Sequence, residues 1–210
     1  MTDFTIHDQQ FEEEAFLTCE DCSWGFIDTT AFISIQPKYE VAHNYINDVC
    51  IVQEKEKWGM IDRLGNNLLP KKYDGVQFLE GTDNQIIKLS ENSPKYGLMD
   101  TLGQLLVDLA YEDIGQFKES RLAVKKGNRW GFVAPNGKEI IPPKYQKIGP
   151  FSEGLAAVRF QRKWIFIDPA GNTILADNYR DAGNFVQGLA WVKTDQGVGF
   201  IGPDLSLIHI

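Results

Sequence analysis

An aromatic residue followed by glycine returns along this chain at a nearly fixed interval. The pairs are Trp24 with Gly25, Trp58 with Gly59, Tyr96 with Gly97 and Trp130 with Gly131; Trp164 then has Ile165 in the glycine place, and Val198 precedes Gly199. The steps between successive anchors are all equal, as from Trp24 to Trp58 or from Trp130 to Trp164, except that from Trp58 to Tyr96, which is four positions longer. A tyrosine follows each of the first five anchors at one constant offset, at Tyr39, Tyr73, Tyr111, Tyr145 and Tyr179. A second aromatic follows further on, at Tyr45, Phe78, Phe117, Phe151 and Phe185, with its offset constant to within one position. Self-similarity of this kind means copies of one supersecondary unit, each too small to bury its own apolar face and therefore stacked on its neighbours.

The register sets the expected organisation: a single array over residues 1–204, with a half unit at 11–23, full units starting near 24, 58, 96, 130 and 164, and a partial unit at 198–204. The one long interval, between Trp58 and Tyr96, contains LSENSPK, a polar insertion of the kind surface turns tolerate. The last six residues, LSLIHI, break the pattern where a turn glycine and a Pro-Tyr segment are due. They match a translation of a transposase adapter used in sequencing-library preparation. Residues 205–210 are therefore expected not to be native protein, and the coding sequence to have been cut there.

Within a unit, GFID and GMID alternate Trp, Phe or Met, and Asp on one strand face with Gly and Ile on the other. Both sets are apolar, so both faces of this strand are expected to be buried, with the glycine giving clearance to a close neighbour. Asp62, Asp100 and Asp168 each precede a glycine by three positions, Gly65, Gly103 and Gly171, which is a type I turn signature. Asp28 holds the same place in the first unit, and Ala134 before Gly137 departs from it. A carboxylate spread over several units and missing from another is expected to form turns, not to catalyse. Stretches such as NNLLP and KEIIPP read as a second strand stopped by proline, after which Pro-Lys-Tyr changes direction. GLAAVRF reads as a third strand, returned by a short polar turn to the next Trp-Gly.

These residues resemble the WG repeat family (WG containing repeat, also called KWG), whose pattern is K-W-G-[FY]-I-D-x-x-G-x-x-[VI]-I-x-P-x-Y-D followed by F-x-x-G-L-A-x-V. KWGMIDRLGNNLLPKKYD, RWGFVAPNGKEIIPPKY and FSEGLAAVRFQRKWIFID carry the resemblance. It implies a repetitive β architecture in bacterial proteins, often appended to other domains, with no catalytic residues and no general ligand. The expected fold is all-β: tandem units of about 34 residues, each with about three antiparallel strands, forming an open β-solenoid or spiral. Propeller-like closure is the alternative, although propeller blades typically use four strands in about 40–45 residues.

Composition narrows the function. The chain has 29 acidic and 21 basic residues and a net charge of -8, with no basic run to track phosphates, so nucleic acid is not an expected partner. No apolar stretch approaches the roughly 20 residues that span a bilayer, and the N-terminus does not read as a secretory signal, so a cytoplasmic location is expected. Cys19 and Cys22 form a C-x-x-C, but His7, His43 and Cys50 offer no matching second pair; reduced thiols are expected and no metal or cofactor. No catalytic motif occurs, so no enzyme activity is expected.

The leading expectation is a non-enzymatic module for a protein or peptide partner, or an accessory part of a larger protein. Glycan or cell-envelope binding is the alternative, favoured if Tyr39, Tyr73 and Tyr145 form an exposed row. Lys72, which has no counterpart in the PKY units, and Trp191, which stands where Ala157 does one unit earlier, are the candidate binding residues. An array cut inside a unit is also expected to pair edge to edge with another chain.

Overall fold

The computed structural model describes residues 13–18, 23–82, 86–91, 95–202 and 207–209. Among these every regular element is a strand. The first sheet holds β1 (Glu13–Thr18), β2 (Ser23–Asp28) and β3 (Ile33–Tyr39). The second holds β4 (Val41–Ala42), β5 (Val49–Glu54), β6 (Lys57–Asp62) and β7 (Asn67–Tyr73). The third holds β8 (Gly75–Phe78), β9 (Ile86–Ser90), β10 (Tyr96–Asp100) and β11 (Leu105–Tyr111). The fourth holds β12 (Asp113–Lys118), β13 (Arg121–Lys126), β14 (Arg129–Val133) and β15 (Glu139–Tyr145). The fifth holds β16 (Lys147–Ile148), β17 (Ala156–Phe160), β18 (Lys163–Ile167) and β19 (Thr173–Tyr179), and the sixth β20 (Asp181–Ala182), β21 (Ala190–Lys193), β22 (Val198–Ile201) and β23 (Leu207–His209). Each sheet is an antiparallel meander in chain order.

The three strands expected of each unit are present, and a fourth, often spanning only two positions, joins them after the tyrosine. The sheets are therefore framed from one tyrosine to the next, out of step with the Trp-Gly anchors. The half unit supplies β1, which pairs with β2. Leu207 to His209 pair with β22, so part of the anomalous tail takes the fourth place in the last sheet. The polar insertion is narrower than its sequence suggests: Leu89 and Ser90 belong to β9, and Glu91 N–H donates to Lys95 O at 3.2 Å across the loop. Cys19 and Cys22 lie outside the described residues.

Proline does not stop the second strand, as its composition suggests it should. Pro37, Pro70 and Pro142 with Pro143 lie inside β3, β7 and β15. Each of these strands ends its sheet, so a missing N–H breaks no ladder on its outer side. Each also carries an irregularity: Trp58 is opposite Tyr73 while Met60 is opposite Leu69, so the edge strand advances further than its partner over that step. The Pro-Lys segment occupies this bulge, and the strand runs through it to the tyrosine.

The chain groups into two compact units, one from residues 1–79 and 83–109, the other from 80–82 and 110–210. In each, the core lies between consecutive sheets. In the first unit Phe26, Ile35 and Tyr39 pack against Tyr45, Val52 and Ile61, and Met60, Leu69 and Tyr73 pack against Val76, Leu89 and Met99. In the second, Phe132, Ile141 and Tyr145 pack against Phe151, Val158 and Ile167, and Phe166 and Tyr179 pack against Phe185, Val192 and Ile201. Both faces of the central strand are thus buried: Met60 and Ile61, Leu98 and Met99, Phe132 and Val133 are at most 1% exposed. Burying such pairs on opposite faces contributes roughly 1.5–3 kcal/mol per side chain, the main force holding consecutive sheets together.

Candidate functional site

The recurrent residues of the repeat turn out to be consumed by construction. Tyr39, Tyr73, Tyr111, Tyr145 and Tyr179 are all buried, the most exposed at 8%. Trp24, Trp58, Trp130 and Trp164 each pair across the sheet with the tyrosine of their own unit, and their rings are half-buried against the apolar clusters. The glycine beside each tryptophan gives clearance to the bulged edge strand. A Cβ on Gly25 would lie 2.7 Å from Ile35 O and 2.8 Å from Pro37 N, and one on Gly97 would lie 2.8 Å from Val107 O. Ile165 changes none of the pairing: β18 meets β19 in the same register as β14 meets β15.

The recurrent aspartates form the turns. Asp62 Oδ1 accepts from Leu64 N at 2.9 Å and Asn66 N at 2.8 Å, while Gly65, at φ 80°, donates to Asp62 O at 3.0 Å. Asp100 and Asp168 repeat this with Gly103 and Gly171. Asp28 does so with Ala31 in the glycine place, at φ 62°. Ala134 keeps the backbone turn through Gly137 N, while Asn136 Oδ1 accepts from Lys138 N in place of the absent carboxylate. The Asn66 side-chain amide holds the Asp62 carboxyl below its ordinary range; Asn172 acts likewise on Asp168 and Thr30 on Asp28.

Other side chains tie the hairpins together. Glu40 accepts from the N–H groups of Lys55 and Glu56, and Glu112 from those of Gly127 and Asn128, each at 2.9 to 3.1 Å. Both turns place two successive residues at positive φ, so their outward N–H groups need an acceptor. A second set links one repeat to the next: Glu119 accepts from Gly154 N at 3.0 Å, and Glu153 from Gly188 N at 2.8 Å.

Part of the second unit's described surface lies outside these contacts. A cleft of about 410 Å³ is lined by Gly115, Gln116, Trp130, Lys147, Gly149 and Trp164, among others. It is open because glycine stands where a side chain would fill it: a Cβ on Gly115 would lie 3.1 Å from the Ala123 Cβ and 3.5 Å from the Trp130 ring. In the second sheet the same register place is His43, whose ring lies 5.6 Å from that of Trp58. Gly115 and Gln116 fall in a bulge of β12, between the pairs Ile114 with Val124 and Phe117 with Leu122.

Of the two binding candidates read from sequence, Trp191 is exposed, at 38%, with its ring against Gly183. Lys72 lies 3.5 Å from Glu91 and over the Tyr73 ring, so its charge already has a partner. The structure does not bring these two residues into the cleft. Sequence reading missed Lys147, although the series Asp113, Lys147, Asp181 at one register place carried the signal. Among the described residues no group of three or more His, Cys, Asp or Glu could hold a metal ion, and Cys50 is buried, donating to His43 O at 2.9 Å.

Antiparallel meanders of three or four strands, with a shared core between consecutive sheets inside each compact unit, define a tandem β-repeat protein. The WG containing repeat matches at residues 24–58, 58–81, 96–130, 130–164 and 166–196, and the chain belongs to that family. No curated protein matches it. Solved structures that resemble it include Hsv2 from Kluyveromyces lactis, at 11% identity and TM-score 0.43 over 77% of this chain and 58% of that one. BamB from Moraxella catarrhalis resembles it at 9% identity and TM-score 0.38 over 91% of this chain and 70% of that one. The chain thus spans under two thirds of the length of the Hsv2 structure.

Proposed function

We propose that this chain is a non-enzymatic interaction module that engages a protein or peptide at the cleft between Trp130 and Trp164. The observation that supports the reading is the contrast between the two kinds of aromatic residue. The tyrosines, which an exposed row would offer to a glycan, are sealed in the core. The two tryptophans keep part of their rings at a cleft that Gly115 holds open. Half-buried tryptophan beside a few polar groups suits an apolar side chain with its backbone. The aspartates that could have served an enzyme are engaged in turns.

The test is to pan displayed random peptides against the full chain and its Trp164→Ala variant. Peptides retained by the parent and lost from the variant support the reading; binding indifferent to Trp164 counts against it. A second reading, glycan binding, draws on the exposed ring of Trp191. Oligosaccharides that bind the parent but not Trp191→Ala would favour it.

A further inference from the structure

At one register place, uncharged in the second and third sheets where Val41 is opposite Gln53 and Gly75 opposite Ser90, a charge reversal stands out among the last three sheets. In the fourth sheet Asp113 is opposite Lys125, and in the sixth Asp181 is opposite Lys193. In the fifth the same two places hold Lys147 and Arg159, two cations facing each other. Like charges directly opposite in a sheet repel, so this row is a poor choice for the isolated fold. No carboxylate answers it: among the described residues neither Lys147 nor Arg159 takes part in an ion pair. Arg159 Nε is moreover buried without a hydrogen-bond acceptor, which adds to the cost of the row.

One end of the row reaches the cleft, because Lys147 lines it and Arg159 does not. Arg159 is the cross-strand partner of Trp164 as well as of Lys147, so it stands between two residues that line the cleft. Cations without counterions therefore adjoin half-buried tryptophans, in a chain whose net charge is -8. A basic partner would find acidic surface in many places, whereas an acidic one finds a complementary charge here.

We infer that the cleft recognises an acidic peptide: an apolar side chain lies against Trp130 and Trp164, and a neighbouring Asp or Glu carboxylate accepts a hydrogen bond from the exposed Lys147, whose positive field the facing Arg159 reinforces. The inference rests on the reading of this cleft as a peptide site and adds the chemistry of its ligand. Charge-assisted bonds of this kind are the strong ones.

The experiment uses the full chain. Peptides selected from a random displayed library are synthesised and titrated calorimetrically against the parent, Lys147→Asp and Trp164→Ala. Lys147→Asp restores the opposite charges of the flanking sheets, so it should melt no lower than the parent. The expected result is selection of peptides with Asp or Glu beside an apolar residue, and binding about tenfold weaker to Lys147→Asp. Replacing the peptide carboxylate by its amide should cost a similar factor, and the two changes together little more than either alone. Peptides without acidic residues, sensitive to Trp164 but not to Lys147, would overturn the acidic specificity and leave the peptide site standing. Peptides indifferent to Trp164, or none selected, would overturn both. A sulfated oligosaccharide that binds through Lys147 where no peptide does would reassign the cations to another class of ligand and overturn the inference.

Discussion

Trp58 stands directly opposite Tyr73 across β6 and β7, and the same partnership joins Trp24 to Tyr39, Trp130 to Tyr145 and Trp164 to Tyr179. This is the origin of the constant offset from tryptophan to tyrosine. The tyrosine closes the far end of an edge strand that has bulged on the way, and the bulge brings backbone over the glycine beside the tryptophan.

Replacing Gly131 by alanine tests that closeness. The added Cβ would lie 2.7 Å from Pro143 N and 2.8 Å from the Pro142 carbonyl carbon, and it would also meet Ile141 O. These are backbone atoms with no rotamer to yield. Gly131→Ala should destabilise by about 1–3 kcal/mol in urea unfolding, the usual range for an overpacked site. An unchanged midpoint would mean that the bulged strand moves freely.

The Tyr39 hydroxyl is buried without a hydrogen-bond partner. Tyr39→Phe should therefore leave stability unchanged or raise it by about 1 kcal/mol, because an unpaired buried polar group is removed. Burial, reinforced by the charges of Glu54 and Cys50, pushes the phenol from its ordinary 10.0 up to about 12. The contribution to stability is complete below the unfolded value of 10.0 and is lost as pH rises towards 12. Melting curves across that alkaline window should fall less steeply for Tyr39→Phe than for the parent.

Cys50 is buried, and burial pushes its thiol up to about 12. In a variant whose other two cysteines are serine, Cys50 should resist thiol reagents at neutral pH and react fully only in denaturant. Rapid labelling of the folded protein would contradict the stacked core between the first two sheets.

The links between repeats predict a local effect. Glu153→Ala removes the acceptor for Gly188 N–H and should cost about 1 kcal/mol. Hydrogen exchange supplies the sharper measurement: protection should fall at Gly188 and stay unchanged at Gly154, which Glu119 serves.

Acid should loosen the turns. The Asn66 amide, first among several donors, keeps the folded Asp62 carboxyl below its ordinary 3.8. Such a group stabilises above its unfolded value, and that stability fades as pH drops through the lower folded one. Asp62→Asn should accordingly be less sensitive than the parent when melting is followed below about pH 4. Equal acid sensitivity would assign the effect to other carboxylates.

Much of the fold was legible because periodicity survives in sequence. Trp-Gly, the tyrosine at its constant offset and the Asp-x-x-Gly turns each mark a fixed geometric relation, and the structure uses them as such. The fourth strand was not legible, since Val41 to Ala42 or Lys147 to Ile148 is too short to display an alternation. Proline misled for a physical reason: a breaker inside a sheet is harmless on an edge that bulges, and edges cannot be told from interiors before the pairing is known. The candidate site was the least visible part. Its openness depends on Gly115 and its charge on Lys147 facing Arg159, relations across strands that no single stretch records.

The paired bonds from Glu119 to Gly154 and from Glu153 to Gly188 bear on how such a chain can change length. In the turn of Glu153 and Gly154 acceptor and donor occupy neighbouring positions, so that copy presents an acceptor to its successor and a donor to its predecessor. A tandem duplication would insert a segment already compatible at both junctions, and a deletion of one copy would rejoin matching ends. Gene-level slippage can thus lengthen or shorten the array without any new fitting at the seam, leaving single-copy departures such as Lys147 free to diverge.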